Sequence, residues 1–284
     1  MTPHEHDLGL VYDLGTLRRR KVLRLLTGAG LATVAACTAD RTTGSSAPST
    51  SASTIPTTTP SATASSTSST PSTTAATVDE IPQETAGPFP GDGSNGPNVL
   101  TESGIVRKDI TKSFGSAAGV AAGVPLTVEL AVLDAAKDTA LQGAAVYVWH
   151  CDALGRYSLY DGEITGENYL RGVQAADANG KVTFTTIFPA AYQGRWPHIH
   201  FEVYASLSDA TAAGKISSTS QLALPAEICQ TVYATSGYDG STQNLARTSL
   251  QSDNVFGDDG GVHQLATVTG SVQDGYMARL TVGV

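Results

Sequence analysis

Residues 197–205, Pro197-His198-Ile199-His200-Phe201-Glu202-Val203-Tyr204-Ala205, alternate polar and apolar side chains with a period of two. In an extended strand His198, His200 and Glu202 point one way and Ile199, Phe201 and Val203 the other. The apolar set can then enter a core while both imidazoles face one space. Similar runs rich in Val, Thr, Ile and aromatics occupy 125–135, 144–152, 181–187 and 264–284. Turn chemistry such as Asp177-Ala178-Asn179-Gly180 separates them, and Gly, Ser and Asp fill most of the other gaps. No stretch of ten or more residues carries a helical stripe, and there is no internal repeat. Short strands at this spacing predict an all-β fold, an antiparallel β-sandwich.

The chain has 284 residues, enough for one or two domains, and a net charge of −9, split as +2 over residues 1–36 and −11 over the rest. An acidic body argues against a nucleic-acid partner, which would be held by released counterions. The basic cluster Arg18-Arg19-Arg20-Lys21 and Arg24 precedes an apolar run of 12 residues, Leu25–Ala36, too short for a bilayer span of about 20 residues. Residues 1–36 therefore read as an export signal, similar to the twin-arginine type. Val34-Ala35-Ala36-Cys37 resembles a lipobox, which makes Cys37 an expected lipidation site and the membrane a partner only through that anchor. From Arg41 to Thr77, 24 of 37 residues are Ser or Thr. Such a segment has no apolar face to offset the entropy of ordering. Residues 37–79 are the expected tether, and 80–284 the expected folded domain, exported and held on the outer face of the cell membrane.

A lone His-x-His pair is a weak signal, since two histidines hydrogen-bonded on a sheet face give the same pattern. The neighbourhood is more specific. Trp149-His150-Cys151-Asp152-Ala153-Leu154-Gly155-Arg156-Tyr157-Ser158-Leu159-Tyr160 follows one strand, Asp177–Tyr192 reads DANGKVTFTTIFPAAY, and Gly194-Arg195-Trp196-Pro197 runs into the histidines. This combination, over roughly residues 83–225, resembles the intradiol ring-cleaving dioxygenases of the catechol and protocatechuate type.

The resemblance implies a non-haem Fe(3+) held by Tyr157, Tyr192, His198 and His200. Ferric iron is a hard cation that favours anionic oxygen, so two phenolates suit it better than they suit zinc. Arg195, three positions before His198, stands where the family has its active-site arginine, able to stabilise negative charge on a substrate ring. Gln221, and Pro88 within Gly87-Pro88-Phe89, resemble residues that border the substrate pocket in the family, and a plain turn is the other reading of the Gly-Pro-Phe segment. The implied reaction is cleavage of a catechol-type ring by O2 to a cis,cis-muconate derivative, with no reductant or organic cofactor. Tyr157 and Tyr192 are catalytic in that scheme, because one leaves the metal and can take a substrate proton.

Two features depart from the family pattern. Tyr192 and His198 are only six positions apart, which shortens the loop between them. The helical dimerisation region of the catechol enzymes is absent, so their oligomeric state does not carry over. With Cys37 lipidated, Cys151 and Cys229 form an even pair in an oxidising compartment and are expected to make a disulfide. Two further readings stand beside the dioxygenase. One is a noncatalytic β-sandwich binding module with a relic metal site. The other is a cupin-type metalloenzyme, which would want a Glu three or four residues after His200, where Val203 and Tyr204 stand.

Overall fold

The structure is a computed structural model that describes residues 78–284. The export signal expected over 1–36, lipidation at Cys37 and all but the last two residues of the expected tether lie outside the described residues.

Among the described residues nine strands form the all-β sandwich. One sheet contains β1 (Pro125–Asp134), β2 (Thr139–Ala140), β5 (Lys181–Ile187), β8 (Thr267–Ser271) and β9 (Gly275–Gly283), with both β2 and β5 paired to β1. The other has the order β4-β3-β6-β7, with β3 (Ala145–Trp149), β4 (Arg171–Ala175), β6 (His198–Tyr204) and β7 (Ile216–Ala223). In β1 buried and half-exposed residues alternate, and its Leu126, Val128, Leu130 and Val132 join Val182 and Phe184 of β5 and Ala278 and Val282 of β9 in one core. Ile199, Phe201 and Val203 of β6 belong to the same core, as the period-two pattern predicts.

The sheets are not wholly antiparallel. β1 and β9 run parallel, with Leu126 beside Tyr276 and Val132 beside Val282. A parallel neighbour needs a long crossover, and here nearly the whole domain supplies it, beyond the reach of any local turn signal. β4 and β7 also escape the sequence reading. β7 is Ile216-Ser217-Ser218-Thr219-Ser220-Gln221-Leu222-Ala223, a run whose small polar residues look like loop. It becomes a strand because β6 pairs with it along its length and because Glu84 N–H donates to Thr219 O at 2.7 Å on its outer edge. The short helices α1 (Leu207–Thr211), α2 (Ala226–Tyr233) and α3 (Ser241–Leu245) lie in the connections after β6 and β7. None is long enough to develop a recognisable stripe. Among the described residues no helix is long and apolar enough to cross a membrane.

The expected disulfide is absent: Cys151 and Cys229 are both free, buried thiols. Each is occupied where it stands. Cys151 Sγ donates to Ala190 O at 3.7 Å, and Cys229 shares a hydrogen bond with Tyr233. Burial pushes both thiols well above their ordinary range, which disfavours the thiolate that disulfide formation needs.

Candidate active site

Three segments deliver four donor side chains to one point. Tyr157 comes from the loop after β3, where Asp152 Oδ1 accepts the N–H groups of Leu154 and Arg156 at 2.9 and 3.0 Å, and Asp152 Oδ2 pairs with Arg156 Nη2 at 2.8 Å. Gly155 in this loop has φ +80°, and a Cβ there would meet Tyr192 Cβ at 3.1 Å, so both backbone conformation and space call for glycine. Tyr192 ends the segment after β5. That segment is held from behind by Tyr233 and Tyr238, whose hydroxyls donate to Pro189 O and Phe188 O at 2.9 Å, and by Asn244 Nδ2, which donates to Ala191 O at 2.9 Å. His198 and His200 project from β6, whose register sets His200 between Trp149 of β3 and Gln221 of β7.

The polar tips converge. Tyr157 Oη and Tyr192 Oη are 3.5 Å apart, Tyr192 Oη and His198 Nε2 3.2 Å, and His198 Nε2 and His200 Nε2 3.1 Å. Ligands about 2.1 Å from one first-row cation in a tetrahedral set stand roughly 3.4 Å from each other, so the spacing fits a metal ion. Among the described residues no three His, Cys, Asp or Glu side chains are grouped for a metal, so this cluster is one of imidazoles and phenols.

Its protonation suits the same role. His198 Nδ1 donates to Trp196 O at 2.5 Å, which leaves its Nε2 lone pair aimed at the cluster. Burial, reinforced by the Arg195 charge, pushes His198 down to about 3. Burial likewise holds His200 well below its ordinary value, with His198 as the next cause. Both rings are therefore neutral and able to ligate. Burial and then the neighbouring Tyr192 keep the Tyr157 phenol well above its ordinary value, so a cation is needed to ionise it. Tyr157, His198 and His200 are buried, whereas Tyr192 is only partly so.

Arg195 lies near enough for its charge to act on Tyr157 and His198, and Gln221 stands opposite His200 in the β6–β7 register. Arg195 Nη2 donates to Gln221 Oε1 at 2.6 Å, and Gln221 Nε2 donates to Thr85 O at 2.9 Å. Pro88 lies in the strap over this face. Its neighbour Gly87, at φ +71°, is so close that a Cβ would stand 3.2 Å from His200 Cε1, and Phe89 packs 5.1 Å from Tyr157. His200 stacks on Trp149 at 4.8 Å with planes 6° apart, and Phe256 approaches His198 edge-on at 6.5 Å. Sequence reasoning missed Asp152 and Asp253, the carboxylates that pin the Tyr157 loop and Arg195. Nothing local marks either one as buried.

Glu202, on the same face of β6, is fully buried, and its Oε2 accepts from Tyr204 Oη at 2.7 Å while Oε1 has no partner. Burial raises its carboxyl from 4.5 to about 7, against a smaller downward pull from Tyr204. The unfolded chain ionises this group near 4.5, so the stability it contributes is complete below that pH and is lost as pH rises through about 7. Glu202→Gln should flatten the decline of Tm between pH 5 and 7 and stabilise the metal-free protein at pH 8 by up to about 3 kcal/mol. An unchanged Tm profile in thermal melts would contradict the shift.

With this geometry in hand, comparison with known proteins is specific. The dioxygenase family profile Dioxygenase_C matches residues 95–232, which include all four donors and Arg195. Comparison with curated protein sequences returned no significant match. Among solved structures, an intradiol ring-cleavage dioxygenase from Tetranychus urticae is similar at 25% identity and a TM-score of 0.57, covering 72% of this chain and 94% of its own. A second dioxygenase crystal structure has 24% identity and a TM-score of 0.57, with 72% and 93% covered. The dioxygenase domain of a carbohydrate-binding fusion protein from Streptomyces sp. SirexAA-E has 23% identity and a TM-score of 0.47, with 72% and 98% covered. The matched profile and the shared fold support an intradiol ring-cleaving dioxygenase over the noncatalytic module and the cupin, and the chain is similar to that family over residues 95–232.

Proposed function

We propose that Tyr157, Tyr192, His198 and His200 hold Fe(3+) and that the protein uses O2 to open a catechol-type ring between its hydroxyls, giving a cis,cis-muconate derivative. The observation that carries this reading is the meeting of two phenol oxygens and two imidazole nitrogens within 3.1–3.5 Å of their neighbours. When bound, ferric iron supplies a hard Lewis acid that orients a catecholate and draws electron density from its ring. The protein's own groups do the rest. His198, locked by Trp196 O, keeps one tautomer throughout. Tyr192, the donor that is only partly buried, has a phenolate oxygen that can take a proton from an arriving catechol hydroxyl. Arg195 keeps its charge at any working pH and stabilises negative charge that builds up on the ring. Phe89, Trp149 and Phe256 supply apolar walls that limit water near the reacting carbons.

The basic cluster, apolar run and Cys37 further support an exported protein anchored by lipid outside the membrane, with a small aromatic diol and O2 as its partners. Iron-loaded protein incubated with catechol, protocatechuate and hydroxyquinol under oxygen should show a visible tyrosinate-to-iron band and a rise in muconate absorbance with at least one of them. Colourless iron-treated protein that opens none of these rings would refute the proposal.

A further inference from the structure

Arg195 is held by a carboxylate 58 residues further along the chain. Asp253 is buried, and its Oδ2 accepts from Arg195 Nε at 3.0 Å and from Trp196 N–H at 2.7 Å. Its Oδ1 accepts from the N–H groups of Val255 and Phe256 at 2.8 and 3.2 Å and lies 3.4 Å from Arg195 Nη2. One side chain thus ties together the guanidinium, the backbone N–H of Trp196, the residue whose carbonyl fixes His198, and the turn that presents Phe256 to His198.

We propose that Asp253 is the positioning residue for Arg195, clamping the guanidinium against Gln221 and beside the four donors. The inference rests on the reading of Arg195 as the group that stabilises charge on the substrate. A buried guanidinium needs acceptors for its N–H groups, and an arginine left to itself samples many rotamers. Two-point attachment through Nε and Nη2, with Gln221 on Nη2, restricts it to one orientation before any substrate arrives. Asp253 does not touch the reacting atoms in this scheme. It acts through Arg195.

Asp253→Asn is nearly isosteric and can keep an oxygen towards Val255 and Phe256, but it sets an amide N–H2 against the N–H groups of Arg195 and Trp196. In iron-loaded protein we expect kcat to fall by about 100-fold with KM changed less than about threefold, while iron content and the visible tyrosinate band stay as in the parent. Arg195→Gln and the double variant Arg195→Gln/Asp253→Asn should have the same kcat, because the carboxylate has nothing left to position. A readout independent of iron is the Arg195 Nε–H signal in 15N NMR of the metal-free protein, expected to be protected from exchange in the parent and unprotected in Asp253→Asn. A kcat within threefold of the parent, a double variant much slower than Arg195→Gln, or loss of the band and iron in Asp253→Asn would each overturn the proposal. So would an unprotected Nε–H in the parent itself, a result that no misfolded variant can obscure. If the parent neither colours nor opens a ring, the functional reading fails instead, and the NMR arm still decides whether the clamp exists.

Discussion

Iron-loaded His200→Ala protein is expected to lose the visible tyrosinate band and to open a catechol ring at least about 1,000-fold more slowly than the parent, a loss of roughly 4 kcal/mol in transition-state stabilisation. His200 stands in the middle of β6, where Trp149 backs its ring at 4.8 Å and its Nε2 lies 3.1 Å from that of His198. Removing it takes one of four donors from the proposed iron and leaves a void over the Trp149 face, which the rigid β3–β6–β7 sheet cannot close. Tyr192→Phe should have the same outcome for a different reason: the ring packing survives, but the half-buried phenolate is gone. Because that variant keeps its shape, circular dichroism and Tm should remain near the parent values, and loss of colour cannot then be blamed on unfolding. Full turnover in a colourless His200→Ala or Tyr192→Phe protein would refute the ligand assignment.

Arg171→Ala should destabilise the domain by about 3–5 kcal/mol and lower Tm by roughly 10 °C or more, as followed by thermal denaturation of metal-free protein. Arg171 is fully buried at the head of β4. Its Nη1 donates to Pro90 O at 2.8 Å and to Tyr147 Oη at 3.2 Å, its Nε to Ser158 Oγ at 3.0 Å, and its Nη2 to Ser158 O at 2.9 Å. The guanidinium also lies 5.5 Å from the Tyr160 ring centroid. One side chain therefore joins the strap that carries Gly87 to Phe89, the loop that carries Tyr157, and strand β3. Truncation leaves Ser158 O unsatisfied and opens a cavity large enough to be felt. Arg171→Lys keeps the charge but not the planar fork, so it should recover only part of the loss. A Tm within 2 °C of the parent for Arg171→Ala would show that the strap is held by other means. The experiment separates support from chemistry, since Arg171 makes its hydrogen bonds to structural carbonyls and hydroxyls.

Much of the site was legible before any fold was known. The alternation in Pro197–Ala205 puts His198 and His200 on one face, and the fold keeps them there. Tyr157, Tyr192, Arg195 and Gln221 were legible only through family motifs, because a tyrosine on a loop carries no local mark of what it will meet. Asp253 had no such motif to lead to it. The disulfide expectation failed on the same ground: an even number of cysteines says nothing about where their side chains settle. β7 was missed because its Ser and Thr residues become strand only through their partners in β6.

The sequence by itself determined the class of the fold and the pair of imidazoles, since side-chain alternation is a property of neighbours along the chain and survives any packing. Only the tertiary structure decided the parallel β1–β9 pairing, the meeting of Tyr157 and Tyr192 with β6, and the Asp253 and Arg171 clamps. Each of these joins residues far apart in the chain. Their free energy comes from burial and hydrogen bonds that exist only once the sheets have packed, so no window of sequence can contain them.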